Sequence, residues 1–342
     1  MKKVQKFSRV VGAVLVAATG GGALVACGAE VENKTEGEQV TVHNCGIEQK
    51  YPKPTKPVAY DVSTIEKMFS LGLADQMRGI VMPKTVKSVI PKSPYKADYD
   101  KVETLSDDVL GQETLVNAKA DWVFAGWQAG FSPERGITPE SLKKIGINSY
   151  QQEETCFNYE GGKKENLDPL QAMYRDMDNL GDIFNVKDRS NKLVADLKAR
   201  EKTLRDKTAS AHKPRVFAYD SGTDEPYTTG NRTALNSAIE LAGGESVTRD
   251  VNARFSTVGW EPVVKSQPEA IVVIDYNKQP VEDKIRFLKE ESPLKNSPAV
   301  KNDQIKIIDY AEAVSSPRNI DLAEKLADYF GQVNAQAGGE AR

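Results

Sequence analysis

The residues best suited to hold a small molecule are aromatic, and they recur at one kind of position. Tyr60 ends the run Val58-Ala59-Tyr60, Trp127 follows ADWVFAG, Tyr276 ends AIVVIDY and Tyr310 follows IKIID. Tyr227 lies in SGTDEPYTTGNR, after the run ending at Tyr219, and Trp260 follows Val258-Gly259. A single ring at such a place is ordinary core. Repetition at the carboxyl ends of strands points instead to a cleft, because open parallel sheets bind ligands beyond those ends. Arg232, in the same segment as Tyr227, and Arg318, in SSPRN, add guanidinium groups able to grip carboxylate or catecholate oxygens in bidentate fashion. Tyr60, Trp127, Tyr227, Arg232, Trp260, Tyr276 and Arg318 form the candidate ligand-binding set.

Catalytic chemistry has little to work with. The chain contains no G-x-S-x-G elbow, no phosphate-cradling G-x-x-x-x-G-K-[ST] loop and no H-E-x-x-H. Its two histidines, His43 and His212, are far apart in sequence and cannot alone build a zinc or manganese cage. Asp107-Asp108 and Glu153-Glu154 read as exposed loop or helix faces. The expectation is a binding protein with no enzymatic activity, no cofactor and no metal site of its own. The reading from another class, an exported cell-wall enzyme, requires a nucleophile, base or metal centre.

The N-terminus carries a different chemistry. Lys2, Lys3, Lys6 and Arg9 precede an apolar stretch from Val10 to Ala26, which ends in Leu24-Val25-Ala26-Cys27. Basic flank, apolar core and small residues before a cysteine form a signal peptide, and the last four residues resemble a bacterial lipobox. Cys27 would then be acylated and become the first residue of the mature chain. A spanning helix needs about 20 apolar residues, and this stretch is short and glycine-rich. The expected location is the extracellular face of the cytoplasmic membrane, held there by lipid. Removing four positive charges from a chain of net −3 leaves about −7, and no basic block remains, which argues against nucleic acid as a partner. With Cys27 lipidated, Cys45 and Cys156 are an even pair in an oxidising compartment, either bridged or two separate buried thiols; parity favours the bridge.

These residues need a scaffold, and the pattern supplies an α/β one. Residues 28–39 are charged, lack aromatics and read as part of a flexible tether. Short apolar strands alternate with amphipathic helices from residue 40 onward, the signature of parallel sheets covered on both faces. Asp168-Pro169 starts a helix through Phe184, and a long, heavily charged helix from about 188 to 208 has only the narrow stripe Leu193, Val194, Leu197, Leu204. Such a helix suits a connector between domains. The predicted organisation is a signal peptide at 1–26, a tether at 27–39, an N-terminal lobe at 40–186, a connecting helix at 187–210, a C-terminal lobe at 211–332 and a disordered tail at 333–342. The fold class is α/β: two Rossmann-like lobes joined by one long helix, with the ligand cleft between them.

Several segments in order resemble the class III periplasmic-binding-protein superfamily, the receptors of iron-siderophore, haem and cobalamin ABC importers. They are Thr64-Ile65-Glu66-Lys67-Met68-Phe69-Ser70-Leu71-Gly72-Leu73, Leu241-Ala242-Gly243-Gly244, Val258-Gly259-Trp260-Glu261 with Pro268-Glu269-Ala270, and Ser316-Pro317-Arg318-Asn319. The likeness runs from about residue 40 to 332. Asn44-Cys45-Gly46, together with Gly126-Trp127 and Cys156, is similar to an actinobacterial branch with a cysteine pair at these places, which supports the Cys45–Cys156 bridge. The resemblance implies a monomeric solute-binding lipoprotein that delivers a ferric siderophore to a permease driven by a separate ATPase. Cobalamin, haem or a deazaflavin-cofactor precursor are the alternative ligands. Iron would arrive inside the chelate. It also implies that one glutamate on each lobe, Glu66 and Glu261, docks onto the permease.

Overall fold

Runs of apolar and β-branched residues flanked by turn formers become short parallel strands, buried because helices cover both faces. The computed structural model describes residues 39–163, 165, 167–276 and 279–340. The signal segment 1–26, Cys27 and the tether up to residue 38 lie outside the described residues.

A hairpin, β1 (Gln39–Asn44) and β2 (Ile47–Pro52), comes first among the described residues. The N-terminal lobe then runs β3 (Pro57–Tyr60), α1 (Asp61–Ser70), β4 (Gly79–Val81), α2 (Lys96–Lys101), β5 (Thr104–Ser106), α3 (Gln112–Asn117), β6 (Trp122–Ala125), α4 (Pro139–Lys143), β7 (Asn148–Gln151) and α5 (Pro169–Ile183). Its sheet has the order β5-β4-β3-β6-β7, all parallel. Every residue of β3 and β6 is buried. Asp168 caps α5, its carboxylate accepting from Leu170 N–H at 2.8 Å, with Pro169 at the first helical position.

Helix α6 (Lys187–Thr208) connects the lobes and buries only Ser190, Val194, Leu197, Glu201 and Leu204. The C-terminal lobe follows as β8 (Arg215–Tyr219), β9 (Tyr227–Thr229), α7 (Ala234–Leu241), β10 (Glu245–Ser246), β11 (Phe255–Thr257), α8 (Trp260–Lys265), β12 (Ala270–Asp275), α9 (Val281–Arg286), α10 (Pro298–Lys301), β13 (Ile305–Asp309), α11 (Tyr310–Ala313) and α12 (Arg318–Glu340). Its parallel sheet has the order β10-β8-β12-β13, and β9 pairs with β11 in a separate antiparallel ribbon. Helix α12 continues through 333–340, where the sequence suggests a disordered tail. Val333 is buried against the core and holds this last stretch in register.

One apolar cluster passes from the N-terminal sheet through α5 and α6 into α7 and α12. Trp122 meets Phe184 edge-on at 5.2 Å, within the preferred range for aromatic pairs. The same region buries an ion pair, Lys67 Nζ donating to Asp176 Oδ2 at 2.7 Å with neither side chain exposed. Asp176 Oδ1 also accepts from Tyr150 Oη and Glu153 N–H, both at 3.0 Å, so the buried charge keeps a full set of partners.

Candidate functional site

Between the lobes, at the carboxyl ends of both parallel sheets, lies a cavity of about 460 Å3. The N-terminal lobe contributes Tyr60 and Asp61 after β3, Trp127 after β6, and Gln152 and Phe157 after β7. The C-terminal lobe contributes Tyr227, Arg254 and Phe255 from the β9–β11 ribbon, and Tyr310 at the end of β13.

The N-terminal wall is built from loops made rigid by hydrogen bonds. Arg135 Nη2 donates to the carbonyls of Gln128, Ala129 and Gly130 at 3.3, 2.8 and 2.9 Å, pinning the turn after Trp127. Gly130 is required there: a Cβ would stand 2.6 Å from Ala125 Cβ and 3.1 Å from the Tyr60 ring. Trp127 N–H donates to Thr155 Oγ1 at 2.9 Å, and the Ser63 hydroxyl donates to Gln152 Oε1 at 2.7 Å. Gln152 Nε2 has no hydrogen-bond partner and is buried in the wall. Behind this wall the disulfide Cys45–Cys156 ties the β1–β2 turn to the short helical turn Glu153–Asn158, packed against Tyr159 and Trp127. Asn44 Nδ2 and Cys45 N–H both donate to Glu153 Oε1, at 2.9 and 3.1 Å.

Charge is scarce inside. Asp61 is the one carboxylate and Arg254 the one cation among the residues lining the cavity. Arg254 Nη2 donates across the cleft to Glu154 Oε2 at 3.0 Å, and Glu154 Oε1 accepts from Ala234 N–H at the start of α7 at 2.8 Å. Asp61 Oδ1 accepts from Val62 N–H at 2.7 Å, and Tyr310 Oη donates to Asp61 Oδ2 at 3.4 Å. Burial pushes the Asp61 carboxyl up to about 6, outweighing these hydrogen bonds and the nearby Arg254. Burial likewise raises the phenols of Tyr60, Tyr227 and Tyr310, which are neutral donors at physiological pH.

The candidate set divides. Tyr60, Trp127 and Tyr227 line the cavity. Tyr276 stands one layer back, its ring 4.8 Å from that of Tyr310. Trp260 is turned to the outer face of the C-terminal sheet, among Phe217, Tyr219 and Phe287, with Nε1 donating to Thr223 O at 2.8 Å. It begins α8, which leads into β12 and packs on that outer face, away from the cleft. Arg232 lies over the Phe157 ring at 4.6 Å and donates through Nε to Asn252 Oδ1, so it braces the wall from outside. Arg318 is buried against Glu66. Neither arginine is among the residues lining this cavity; both are held by partners within the protein.

Asp61, Gln152, Phe157, Arg254 and Phe255 are cavity residues that the sequence reading did not select. Asp61 had a local signal, following Tyr60 at a strand end. Arg254 and Phe255 had none, because β11 reaches the cleft only by pairing with β9 across the intervening α7.

Glu66 is fully buried, accepting from Ser93 Oγ at 2.6 Å and facing Arg318 Nη1 at 3.4 Å through both oxygens. It cannot meet a partner protein. Glu261 is exposed in the first turn of α8. The equivalent place in the other lobe is the first turn of α3, because α3 leads into β6 as α8 leads into β12 and each strand lies beside the first strand of its sheet. Glu113 occupies that turn and is exposed. Both helices start on the carboxyl side of their sheets, the side of the cleft. His43 and His212 are exposed beside Glu165 and Glu269, each at 3.4 Å. Among the described residues no group of three or more His, Cys, Asp or Glu could hold a metal ion, and no helix is long and apolar enough to cross a membrane.

Solved structures share this architecture. A periplasmic binding protein from Veillonella parvula is 26% identical, with a TM-score of 0.71 over 85% of this chain and 97% of its own. A protein of an ABC-type Fe3+-hydroxamate transport system from Saccharomonospora viridis is 21% identical, with a TM-score of 0.70 over 85% and 99%. The periplasmic vitamin B12 binding protein of Vibrio cholerae is 17% identical, with a TM-score of 0.61 over 82% and 98%. The sequence pattern of the family described as periplasmic binding protein matches residues 58–311, from the first strand of the N-terminal sheet to just past Tyr310 at the cleft. Two parallel-sheet lobes about an aromatic cavity, carrying that pattern over most of their length, make this chain a member of the periplasmic binding protein family.

Proposed function

We propose that this protein is the lipid-anchored receptor of an ABC importer and captures a ferric siderophore of low net charge, of the hydroxamate kind. The observation that carries this reading is the cavity's composition: rings from both lobes, one carboxylate, and one arginine already paired with Glu154. Three hydroxamates cancel the charge of iron(III), whereas three catecholates leave a trianion that would need several unpaired cations. Arg232 and Arg318, the residues that could have met a catecholate, are held elsewhere. The neighbour from Saccharomonospora viridis is consistent with this choice. Iron enters as cargo inside its chelator. Cys27 would hold the receptor at the extracellular face of the cytoplasmic membrane, and Glu113 with Glu261, one on each lobe, would set its register on the permease.

Fluorescence titration of the full chain in detergent tests the ligand. Trp127 lines the cavity, whereas Trp122 is buried in the core and Trp260 faces the opposite side of the C-terminal sheet. Saturable quenching by a ferric trihydroxamate at sub-micromolar concentration, without quenching by the iron-free chelator, is the expected result. Quenching only by a corrinoid, haem or a deazaflavin-cofactor precursor would replace the ligand and keep the receptor. Silence across the panel would remove the iron-chelate reading.

A further inference from the structure

The cavity joins one acid to a ring of aromatic faces, and the acid is held there in an unusual way. Asp61 has φ of 68°, the left-handed region that side-chain-bearing residues enter at a cost and that Asp and Asn tolerate better than most. A residue in ordinary helical conformation at the start of α1 would aim its side chain differently. The left-handed turn instead keeps the carboxylate at the cavity wall with Tyr60, Trp127, Phe157, Tyr227, Phe255 and Tyr310. Oδ1 is engaged by Val62 N–H, while Oδ2 has only the long contact from Tyr310 Oη at 3.4 Å, which leaves it acceptor capacity. Arg254, the cation across the cavity, is already engaged by Glu154 and does not neutralise Asp61 through a direct ion pair. A carboxylate among aromatic faces attracts cations twice, by direct charge and by the ring quadrupoles.

From this geometry we infer that Asp61 selects ligands bearing a cationic group, an ammonium on the periphery of the bound molecule. The inference rests on the receptor reading and deepens it: the receptor prefers chelates carrying a pendant ammonium to neutral ones of the same shape. Asp61 is thus a specificity residue, beyond its hydrogen bond with Val62 N–H. Near pH 7.5 the carboxyl is ionised, since its raised value of about 6 still lies below that pH.

The test compares two probes on the full chain at pH 7.5: a linear ferric trihydroxamate with a terminal ammonium and the same chelate N-acetylated. The wild-type protein should bind the ammonium form about tenfold more tightly, the scale of one charge contact reinforced by ring faces. Asp61→Asn retains an oxygen for Val62 N–H and tolerance of positive φ, so its fold, read by thermal melting, should hold, and the ratio of its affinities for the two chelates, rather than either affinity alone, is the readout. Its preference for the ammonium form should vanish. Asp61→Gly removes the side chain and its backbone strain together; it too should bind both chelates alike, with thermal stability reporting the fold. Equal binding of the two chelates by the wild-type protein overturns the assignment while leaving the receptor reading intact. So does a preference that survives in Asp61→Asn. Failure of both chelates to bind overturns the iron-chelate reading and this assignment together.

Discussion

Glu66 on α1 and Arg318 at the start of α12 face one another across the two lobes, with Arg318 Nη1 3.4 Å from both carboxylate oxygens and neither side chain more than 9% exposed. Burial raises the Glu66 carboxyl, and Arg318 is the largest of the influences that pull it back. Removing one member strands the other in a medium that solvates it poorly. Glu66→Ala should therefore cost about 3 kcal/mol of unfolding free energy in a urea titration. Glu66→Met combined with Arg318→Met should cost much less than either single change. Full stability in Glu66→Ala would contradict the buried pairing.

Glu113 and Glu261 predict a different phenotype. Both are exposed, in the first turns of short helices at equivalent places in the two lobes. Glu113→Arg with Glu261→Arg should abolish ligand uptake by cells while thermal stability and solution affinity stay at wild-type values. Normal uptake by the double variant would remove the docking assignment.

The Cys45–Cys156 disulfide closes a separation of 111 residues and anchors the segment that supplies Gln152 and Phe157 to the cavity. Cys45→Ser with Cys156→Ser should lower stability by about 2–4 kcal/mol. It should also weaken ligand binding several-fold, because the wall would lose its anchor to the β1–β2 turn. Unchanged affinity in a destabilised variant would confine the bridge to a stabilising role.

Glu153 connects stability to pH. Its carboxyl is pushed up to about 7, first by burial and then by the neighbouring Asp176, against hydrogen bonds from Asn44 and Cys45 and the charge of Arg175. An acid whose folded value is raised takes up its proton more readily in the folded state. Its contribution is thus full below the unfolded value near 4.5 and fades as pH rises through about 7. Denaturant titrations should show wild-type stability falling relative to Glu153→Gln by roughly 3 kcal/mol between pH 4.5 and 8. Parallel curves for the two proteins would refute this coupling.

The strand ends were legible because local chemistry specifies them. Val58–Tyr60, the ADWVFAG run and AIVVIDY are apolar segments bounded by turn formers, and each became a buried parallel strand. The rings that end or follow them had to emerge at the carboxyl edge of a sheet, which brought Tyr60 and Trp127 to the cleft. What each charged residue meets was not legible. Glu66, expected at the surface as a docking residue, is buried together with its neighbour Lys67, because Arg318 and Asp176 reach them from distant helices. Arg318 had the right chemistry for a ligand but found a closer carboxylate.

Sequence alone determined the α/β alternation, the connecting helix, the family pattern and the aromatic character of the strand ends. All of these follow from periodicity and composition over short stretches. Tertiary structure decided which charges face the cavity, because an ion pair depends on residues 100 to 250 positions apart coming within hydrogen-bond range. It moved the exposed acid of the N-terminal lobe from Glu66 to Glu113. It also left Asp61, held in a left-handed turn against Tyr310 of the other lobe, as the one carboxylate at the cavity. Desolvation and partner geometry exist only after the chain has folded, so no local pattern could have assigned those roles.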